Sequence, residues 1–175
     1  MKIKMQHNNE FKNNSTLESR LENYIKDKFP IAYIISKSAP VYLLGGAIRD
    51  LILAKKPKDL DFIVLGNEYS NSILEIFQKY NINFSYNRFG GYKINYHGTQ
   101  IDLWTNNDLY SAIQYNVDGL FFYLKDNILL SFTFDDFKKN GLRLINKDNN
   151  IEKGRKEKLI QFEQNFKEIQ NNNIN

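Results

Sequence analysis

Residues 41–65 read VYLLGGAIRDLILAKKPKDLDFIVL, and this stretch predicts how the chain folds. An apolar run ends at Gly45 and Gly46, and an amphipathic segment follows. Asp59 and Asp61 then stand at the head of a second apolar run. This order predicts a strand, a tight turn, a helix and a second strand, with two carboxylates where the second strand begins.

The same stretch has the chemistry of a triphosphate site. Paired glycines let the backbone approach a phosphate, and the amides at the start of the following helix present the positive end of its dipole. Side chains two apart on a strand share a face, so Asp59 and Asp61 lie together while Leu60 and Phe62 face the core. Two close carboxylates repel each other unless a cation lies between them. Magnesium, or manganese in its place, fits this pattern because such ions prefer carboxylate and phosphate oxygens. A solvated turn that carries charges is the alternative interpretation.

Composition narrows the possible chemistry. The chain has 175 residues, which suits one domain with a sizeable core. The absence of cysteine excludes a disulfide framework, a thiolate zinc site and a thiol nucleophile, and two histidines are too few for a histidine-rich metal site. Oxygen-ligand metal chemistry remains, in agreement with the aspartate pair.

Charge and hydropathy give weaker indications. The net charge of +4 permits a polyanionic partner such as RNA or a nucleotide, but a lysine-rich surface explains it equally well. The N-terminus lacks an apolar signal region, and no stretch approaches the roughly 20 apolar residues of a membrane span. We therefore expect a cytoplasmic protein that does not contact a membrane.

Periodic patterns predict the other elements. Ser15 to Glu18 has the form of a capping box with Ser15 as N-cap, and apolar residues at helical spacing follow as far as Phe29. Pro30 and Pro40 punctuate the approach to the first strand. Residues 1–14 are polar, and we expect them to be flexible.

The middle of the chain alternates between helix and strand signals. Residues 70–80 have helical spacing, and Ile82, Phe84 and Tyr86 alternate as in a strand. The glycines at 90–91 predict a turn or bulge. His97 and Gly98 predict a hairpin turn, in which His97 is a turn residue rather than a metal ligand.

Asp102 lies within an apolar alternation, Ile-Asp-Leu-Trp, where an isolated carboxylate needs a reason. If its strand lies beside the strand of Asp59, Asp102 completes a cluster of three carboxylates. An edge strand with Asp102 facing solvent is the alternative.

The motifs together resemble a known family. Residues 45–50 read Gly-Gly-Ala-Ile-Arg-Asp and residues 58–61 read Lys-Asp-Leu-Asp. This combination resembles the head domain of tRNA nucleotidyltransferases (CCA-adding enzymes) and bacterial poly(A) polymerases, in the superfamily of DNA polymerase beta. The resemblance implies an α+β head fold, with a mixed or antiparallel sheet backed by helices, and a third carboxylate from a later strand, here Asp102.

The resemblance continues with less detail beyond Asp102. Residues 115–121 stand where the family has Phe-Thr-Ile-Asn-Ala-Leu-Ala, and residues 134–145 resemble its end-of-head helix, glycine and Leu-Arg-Leu-Ile strand. A basic amphipathic helix follows from Ile151, where the family's neck begins. We therefore divide the chain into a flexible N-terminus (1–14), a head domain (15–150) and a C-terminal helix and tail (151–175).

Two departures from the family stand out. By the alignment, Ala112, Ile113 and Gln114 occupy the place of an Arg-Arg-Asp triplet that holds the sugar of the incoming nucleotide. Residues 156–160 lack the Glu-Asp-x-x-Arg motif with which the neck reads the base. The neck, body and tail that grip tRNA would also need far more chain. We therefore do not expect a complete CCA-adding enzyme.

The resemblance implies nucleotidyl transfer with two metal ions. Asp59, Asp61 and Asp102 would be the catalytic metal ligands. Gly45, Gly46, Arg49 and Asp50 would form the nucleotide-binding motif, with Arg49 either neutralising phosphate charge or forming an ion pair with Asp50 or another acid. Lys58 is interpreted as a solvated charge. The acceptor hydroxyl belongs to an RNA 3′ end, a protein or a small molecule.

Two other functions remain open at this level. The chain could be a catalytically idle module that binds a nucleotide or RNA. It could also be one subunit of a partner-dependent, toxin–antitoxin-like system, with the apolar side of the 151–170 helix as the contact, unless that side packs on its own head. The sequence does not indicate the oligomeric state.

Overall fold

Apolar alternation in residues 41–65 and 92–106 produces the centre of a seven-stranded sheet. The computed structural model describes residues 16–146 and 154–172. The helices are α1 (Leu17–Lys28), α2 (Ile31–Ile35), α3 (Gly46–Ile52), α4 (Ser70–Lys79), α5 (Phe134–Asn140) and α6 (Arg155–Asn172). The strands are β1 (Val41–Leu44), β2 (Asp59–Leu65), β3 (Phe84–Tyr86), β4 (Tyr92–Tyr96), β5 (Thr99–Asn106), β6 (Leu120–Tyr123) and β7 (Ile128–Ser131).

The strand order is β3-β4-β5-β2-β1-β6-β7. Strands β2 and β5 pair in parallel, and every other pair in this sheet is antiparallel. A parallel pair needs a long crossover, which here contains α4 and the β3–β4 hairpin. The α+β class and the mixed sheet expected from the sequence are confirmed.

The two faces of the sheet are buried to different extents. One face carries Leu43, Leu60, Phe62 and Leu103, all fully buried in the main core with residues of α1 to α4. The opposite face has a smaller apolar cluster formed by Leu44, Ile63, Leu109, Ile113 and Phe121. This second face therefore leaves room for polar side chains, and Asp59 and Asp61 lie on it.

Three local predictions differ from the structure, and one short helix was not predicted. Helix α1 begins after Thr16, not Ser15, because the Thr16 hydroxyl accepts the N–H of Ser19 at 3.2 Å. Ser15 itself lies outside the described residues. Helix α2 was not predicted, since five residues are too few to show a period. The strand predicted to start at Ile82 starts at Phe84. The predicted strand in 142–145 is reduced to one bridge between Tyr115 and Leu144.

Helix α6 packs against α5 of the same chain. The Phe162 ring lies 5.8 Å from Phe137, and the Phe166 ring lies 5.9 Å from Phe134. Leu159 is also buried. The apolar side of this helix is thus covered by its own head, and that surface is not free to be the partner contact considered above. No helix in the described ranges has the length and apolar character needed to cross a bilayer.

A buried asparagine joins the segments around α5. The Asn116 side chain is fully buried, and its Nδ2 donates to Asp136 Oδ2 at 2.7 Å and to the Gly141 carbonyl at 2.9 Å. Its Oδ1 accepts the N–H of Arg143 at 2.9 Å. One side chain therefore satisfies three polar groups within residues 136–143, in α5 and directly after it.

We predict that Asn116→Ala lowers the free energy of unfolding by about 2–3 kcal/mol, because it leaves buried donors and acceptors unpaired. Asn83→Ala is the matched control, since Asn83 is exposed. Chemical denaturation of both variants measures the difference. Equal stability of the two variants would contradict the structural role of Asn116.

Candidate active site

The parallel pairing of β2 and β5 brings the predicted carboxylates together. Asp61 stands directly beside Asp102 in the register, and Asp59 stands beside Gln100. Residues side by side on paired strands project to the same face. Asp59 is exposed, whereas Asp61 and Asp102 are half-buried. The sequence left open whether the strand of Asp102 adjoins that of Asp59, and the structure places it there.

The turn between β1 and α3 lies against these carboxylates. Gly45 has a φ of +79°, a conformation that side chains rarely adopt. A Cβ at Gly45 would lie 2.9 Å from Asp61 Oδ2, and a Cβ at Gly46 would lie 3.9 Å from Asp59 Oδ1. The backbone conformation therefore favours glycine at 45, and a side chain there would also displace the Asp61 carboxylate.

Asp61 is poorly stabilised in its charged form. Burial, together with the negative charges of Asp59 and Asp102, raises the pKa of Asp61 to about 7. Arg49 and Arg155 oppose the shift without cancelling it. A cation beside these oxygens would relieve the repulsion.

Arg49 is engaged by an acid that the sequence did not single out. Its Nη1 donates to Asp118 Oδ1 at 3.0 Å, and Nη2 of Arg155 donates to the same oxygen at 2.9 Å. The other oxygen of Asp118 accepts the N–H of Tyr115 at 2.9 Å. Burial lowers the pKa of Arg49, and Asp118 opposes that change. The alternative considered for Arg49, an ion pair with Asp50 or another acid, is present in the structure, and the acid is Asp118.

Two arginines share one buried carboxylate, which leaves an excess of positive charge beside Asp61.

Asp118 stands in an apolar stretch from Tyr115 to Phe122, so the argument that drew attention to Asp102 applied to it as well. Arg155 had no such signal, because it lies at the start of a helix far along the chain.

Charges of both signs act on the carboxyl group of Asp50. Burial raises its pKa, Arg49 lowers it, and Asp59 raises it. Lys55 and Lys58 act on Asp50 as positive charges. Lys58 itself is exposed, in agreement with its interpretation as a solvated charge.

The region of the missing arginines is used for packing. Residues 110–112 form a short 3₁₀ turn, and Ile113 is fully buried in the small apolar cluster with Ile63. Gln114 contributes its backbone carbonyl to Ile145 and Asn146. The sheet face next to the carboxylates is therefore closed by apolar side chains where the family pattern has charged ones.

Within residues 16–146 and 154–172, no group of three or more His, Cys, Asp and Glu side chains forms a ready-made metal cage. Magnesium in proteins is usually held by one or two carboxylates together with substrate phosphates, and not by protein ligands alone. The carboxylates near Gly45 fit this type of shared coordination.

A family model describes the central part of this site. Residues 41–111 match the poly A polymerase head domain. The matched segment contains both glycines, Arg49, Asp50 and the three aspartates. The resemblance stated from the sequence is thereby confirmed. No curated protein sequence matches the chain.

Solved structures share the fold. A Thermotoga maritima CCA-adding enzyme complexed with tRNA-CCA aligns with a TM-score of 0.56 and 24% identity, over 83% of this chain and 36% of that one. A CCA-adding enzyme in complex with ATP aligns with a TM-score of 0.58 and 21% identity, over 83% and 38%. The complex with CTP gives a TM-score of 0.58 and 21% identity, over 82% and 40%. The chain thus spans well under half the length of these relatives, and the likeness establishes the head fold.

We predict that Asp61 makes the metal-free protein less stable as the pH rises. The folded-state pKa of about 7 lies above the ordinary value of 3.8, so between these values the folded chain holds a proton that the unfolded chain has released. Stability therefore falls across this window, by up to about 1.4 kcal/mol per pH unit. Denaturation in EDTA from pH 4 to 7.5 should show a shallower decline for Asp61→Asn. Asp126→Asn, at an exposed position, is the control. If the free energy of unfolding falls with pH equally steeply in wild type, Asp126→Asn and Asp61→Asn, the assignment to Asp61 is refuted.

We also predict that Asp118→Asn lowers the free energy of unfolding by about 3 kcal/mol, because it leaves two largely buried arginines without their counter-charge. Asp135→Asn is the control, since its ion pair with Lys138 is exposed and contributes at most about 1 kcal/mol. Urea titration of both variants decides the point, and a loss below 1 kcal/mol for Asp118→Asn would contradict it.

Proposed function

We propose that this chain is a metal-dependent nucleotidyltransferase, which transfers a nucleoside monophosphate from a triphosphate to a hydroxyl acceptor and releases pyrophosphate. The observation that carries the proposal is the placement of Asp59, Asp61 and Asp102 on neighbouring strands beside the Gly45–Gly46 turn. The family match over these residues supports it.

The donor set fits magnesium or manganese. Asp59, Asp61 and Asp102 offer hard oxygen ligands, and burial together with the charges of Asp59 and Asp102 raises the pKa of Asp61, so a cation there would favour its ionised form. When bound, two such ions would neutralise phosphate charge and make the acceptor hydroxyl easier to deprotonate.

The chain's own residues perform the remaining steps. The backbone at Gly45 and Gly46 can approach the β- and γ-phosphates because no side chain intervenes. Arg49, held by Asp118, contributes positive charge near these phosphates. Asp102 takes up the proton of the acceptor hydroxyl at its carboxylate. The hydroxyl oxygen bonds to the α-phosphorus while the bond to the pyrophosphate oxygen breaks.

Substrate classes follow from the same site. Relatives of the same fold were solved with ATP, CTP and tRNA, which supports a nucleoside triphosphate as donor and RNA as one acceptor class. Protein and small-molecule hydroxyls remain alternative acceptors. The buried Ile113 in place of a sugar-binding arginine indicates that any selectivity for the nucleotide has a different structural basis.

A catalytically idle binding module is the second candidate. The closed apolar surface at Ile113 favours it, because it removes a group that holds the incoming nucleotide in the family. The retained acids argue against it, since an idle fold gains nothing from placing the charges of Asp59 and Asp102 near the half-buried carboxylate of Asp61. Metal-dependent triphosphate binding without pyrophosphate release would favour the module.

We predict that Asp59→Asn, Asp61→Asn and Asp102→Asn each lower transfer from labelled triphosphates by about 100-fold or more, because each removes a charge that acts in the transition state. Each α-labelled triphosphate is incubated with magnesium or manganese and a cell extract, and label is measured in RNA, protein and small molecules. Asp126→Asn, an exposed aspartate in a turn, is the control.

Melting curves must show that the variants remain folded, so that lost transfer is not lost structure. Full transfer by the folded Asp59→Asn or Asp61→Asn protein would refute the assignment. Triphosphate binding by wild type without pyrophosphate release would replace it with the binding module.

A further inference from the structure

A basic cleft lies at the end of the sheet where β2 and β5 begin. It has a volume of about 410 Å³. Lys28 comes from α1, Lys56 and Lys58 come from the loop before β2, and His97 comes from the β4–β5 turn. Tyr24, Pro57, Gly98 and Thr99 complete the lining, and none of the eight is acidic. Three separate parts of the chain thus converge to place positive charge around one opening.

The basic cleft borders the carboxylate site. Lys58 immediately precedes Asp59, and Thr99 precedes Gln100, which stands beside Asp59 in the register. The Tyr24 hydroxyl donates to the Pro57 carbonyl at 2.9 Å and so ties the loop to α1. Thr99 shares its face of β5 with the core residue Ile101, so the cleft lies on the α1 side of the sheet and the acids lie on the other side. A strand of phosphates leaving the cleft would reach Asp59 over the edge where β2 and β5 begin.

The position of the cleft in the sheet distinguishes its ligand from the triphosphate. Strand β2 has β1 and the Gly45–Gly46 turn on one side and β5 on the other. The cleft is lined by residues at the starts of both β2 and β5, and none of its lining residues comes from β1 or the glycine turn. Under the proposed function, on which this inference rests, the glycine turn receives the triphosphate and Asp102 receives the acceptor. The cleft thus lies on the acceptor side.

The positive charges are available to a ligand. Lys56 and Lys58 are exposed, and within residues 16–146 and 154–172 neither forms a salt bridge. Lys28 pairs with Asp27 at 2.7 Å, but Asp27 is 67% exposed, and such a pair is readily exchanged. Flexible lysines bind phosphates as point charges and do not read base edges. The lining therefore suits a phosphate backbone better than a single nucleoside.

We propose that the basic cleft binds phosphodiester groups of a single RNA strand and directs its 3′ hydroxyl toward Asp102. Lys28, Lys56 and Lys58 neutralise consecutive phosphates, and His97 lies at the rim. The cleft thus provides the head with an RNA-binding surface that includes neither α6 nor residues 112–114.

The test is fluorescence anisotropy of a 5′-labelled single-stranded RNA of about 12 nucleotides, in the range of single-strand binding sites. The buffer contains no nucleotide or divalent ion, so transfer cannot occur. The cleft variant is Lys28→Gln/Lys56→Gln/Lys58→Gln. The control is Lys37→Gln/Lys79→Gln/Lys125→Gln, which removes the same charge from exposed positions elsewhere. Melting curves show whether each variant is folded. If the triple variant is unfolded, the single variant Lys56→Gln replaces it in the binding assay.

The cleft variant should bind RNA about tenfold more weakly near 0.1 M salt, and its log–log salt slope should fall by about 2, or roughly 0.7 per phosphate contact. The control should change affinity by less than about twofold. Equal weakening in both variants, or no RNA binding by wild type, would overturn the proposal. Two further results would overturn it. One is a cleft variant that binds RNA with the affinity of wild type but no longer binds pyrophosphate. The other is a wild-type protein that binds poly-glutamate as tightly as RNA.

Asp59→Asn separates this inference from the proposed function. It should keep its RNA affinity while losing transfer. Cleft-dependent RNA binding without any transfer by wild type would count against the proposed function alone. Transfer to RNA that is unaffected by the cleft variant would count against the cleft alone.

Discussion

The parallel pairing of β2 with β5 is the constraint on which the rest of the site depends. It places Asp61 beside Asp102 although about 40 residues separate them in the chain. The apolar neighbours of these acids, Leu60 and Leu103, are fully buried on the opposite face. Because side chains alternate along a strand, the packing that fixes the register also fixes which face carries the acids. A slip of one residue would bury the carboxylates and expose the core.

A second set of charges, on Arg49 and Arg155, offsets part of the repulsion among the acids. Asp118 holds Arg49 and Arg155 through one oxygen, so a residue after β5 connects the glycine motif to the start of α6. Removing either kind of charge leaves the other uncompensated in a largely buried setting. The structural stability of the head and the electrostatics of the site are therefore coupled, and Arg49 serves both. The glycine motif and the start of α6 are thus joined through one carboxylate.

The departures from the family pattern have a physical meaning in this fold. Ile113 is a buried member of a small apolar cluster on the face next to the acids. Positive charge is found instead at the other end of β2, around the basic cleft. The two ends of the site thus differ in chemistry, with an apolar wall at one end and lysines at the other. Under the proposed function, this distribution of charge favours contacts with phosphates over contacts with a base.

The sequence by itself determined the strand–turn–helix–strand unit, the position of Gly45 and Gly46 in its turn and the face shared by Asp59 and Asp61. These follow from local periodicity and backbone sterics, which neighbouring residues control. The sequence indicated Asp102 but not its position, because strand order depends on which apolar faces pack together. The partner of Arg49, the role of Arg155, the burial of Ile113 and the convergence of Lys28 with Lys56 and Lys58 were decided only by tertiary structure. Each joins segments far apart in the chain, and no local pattern records such distances.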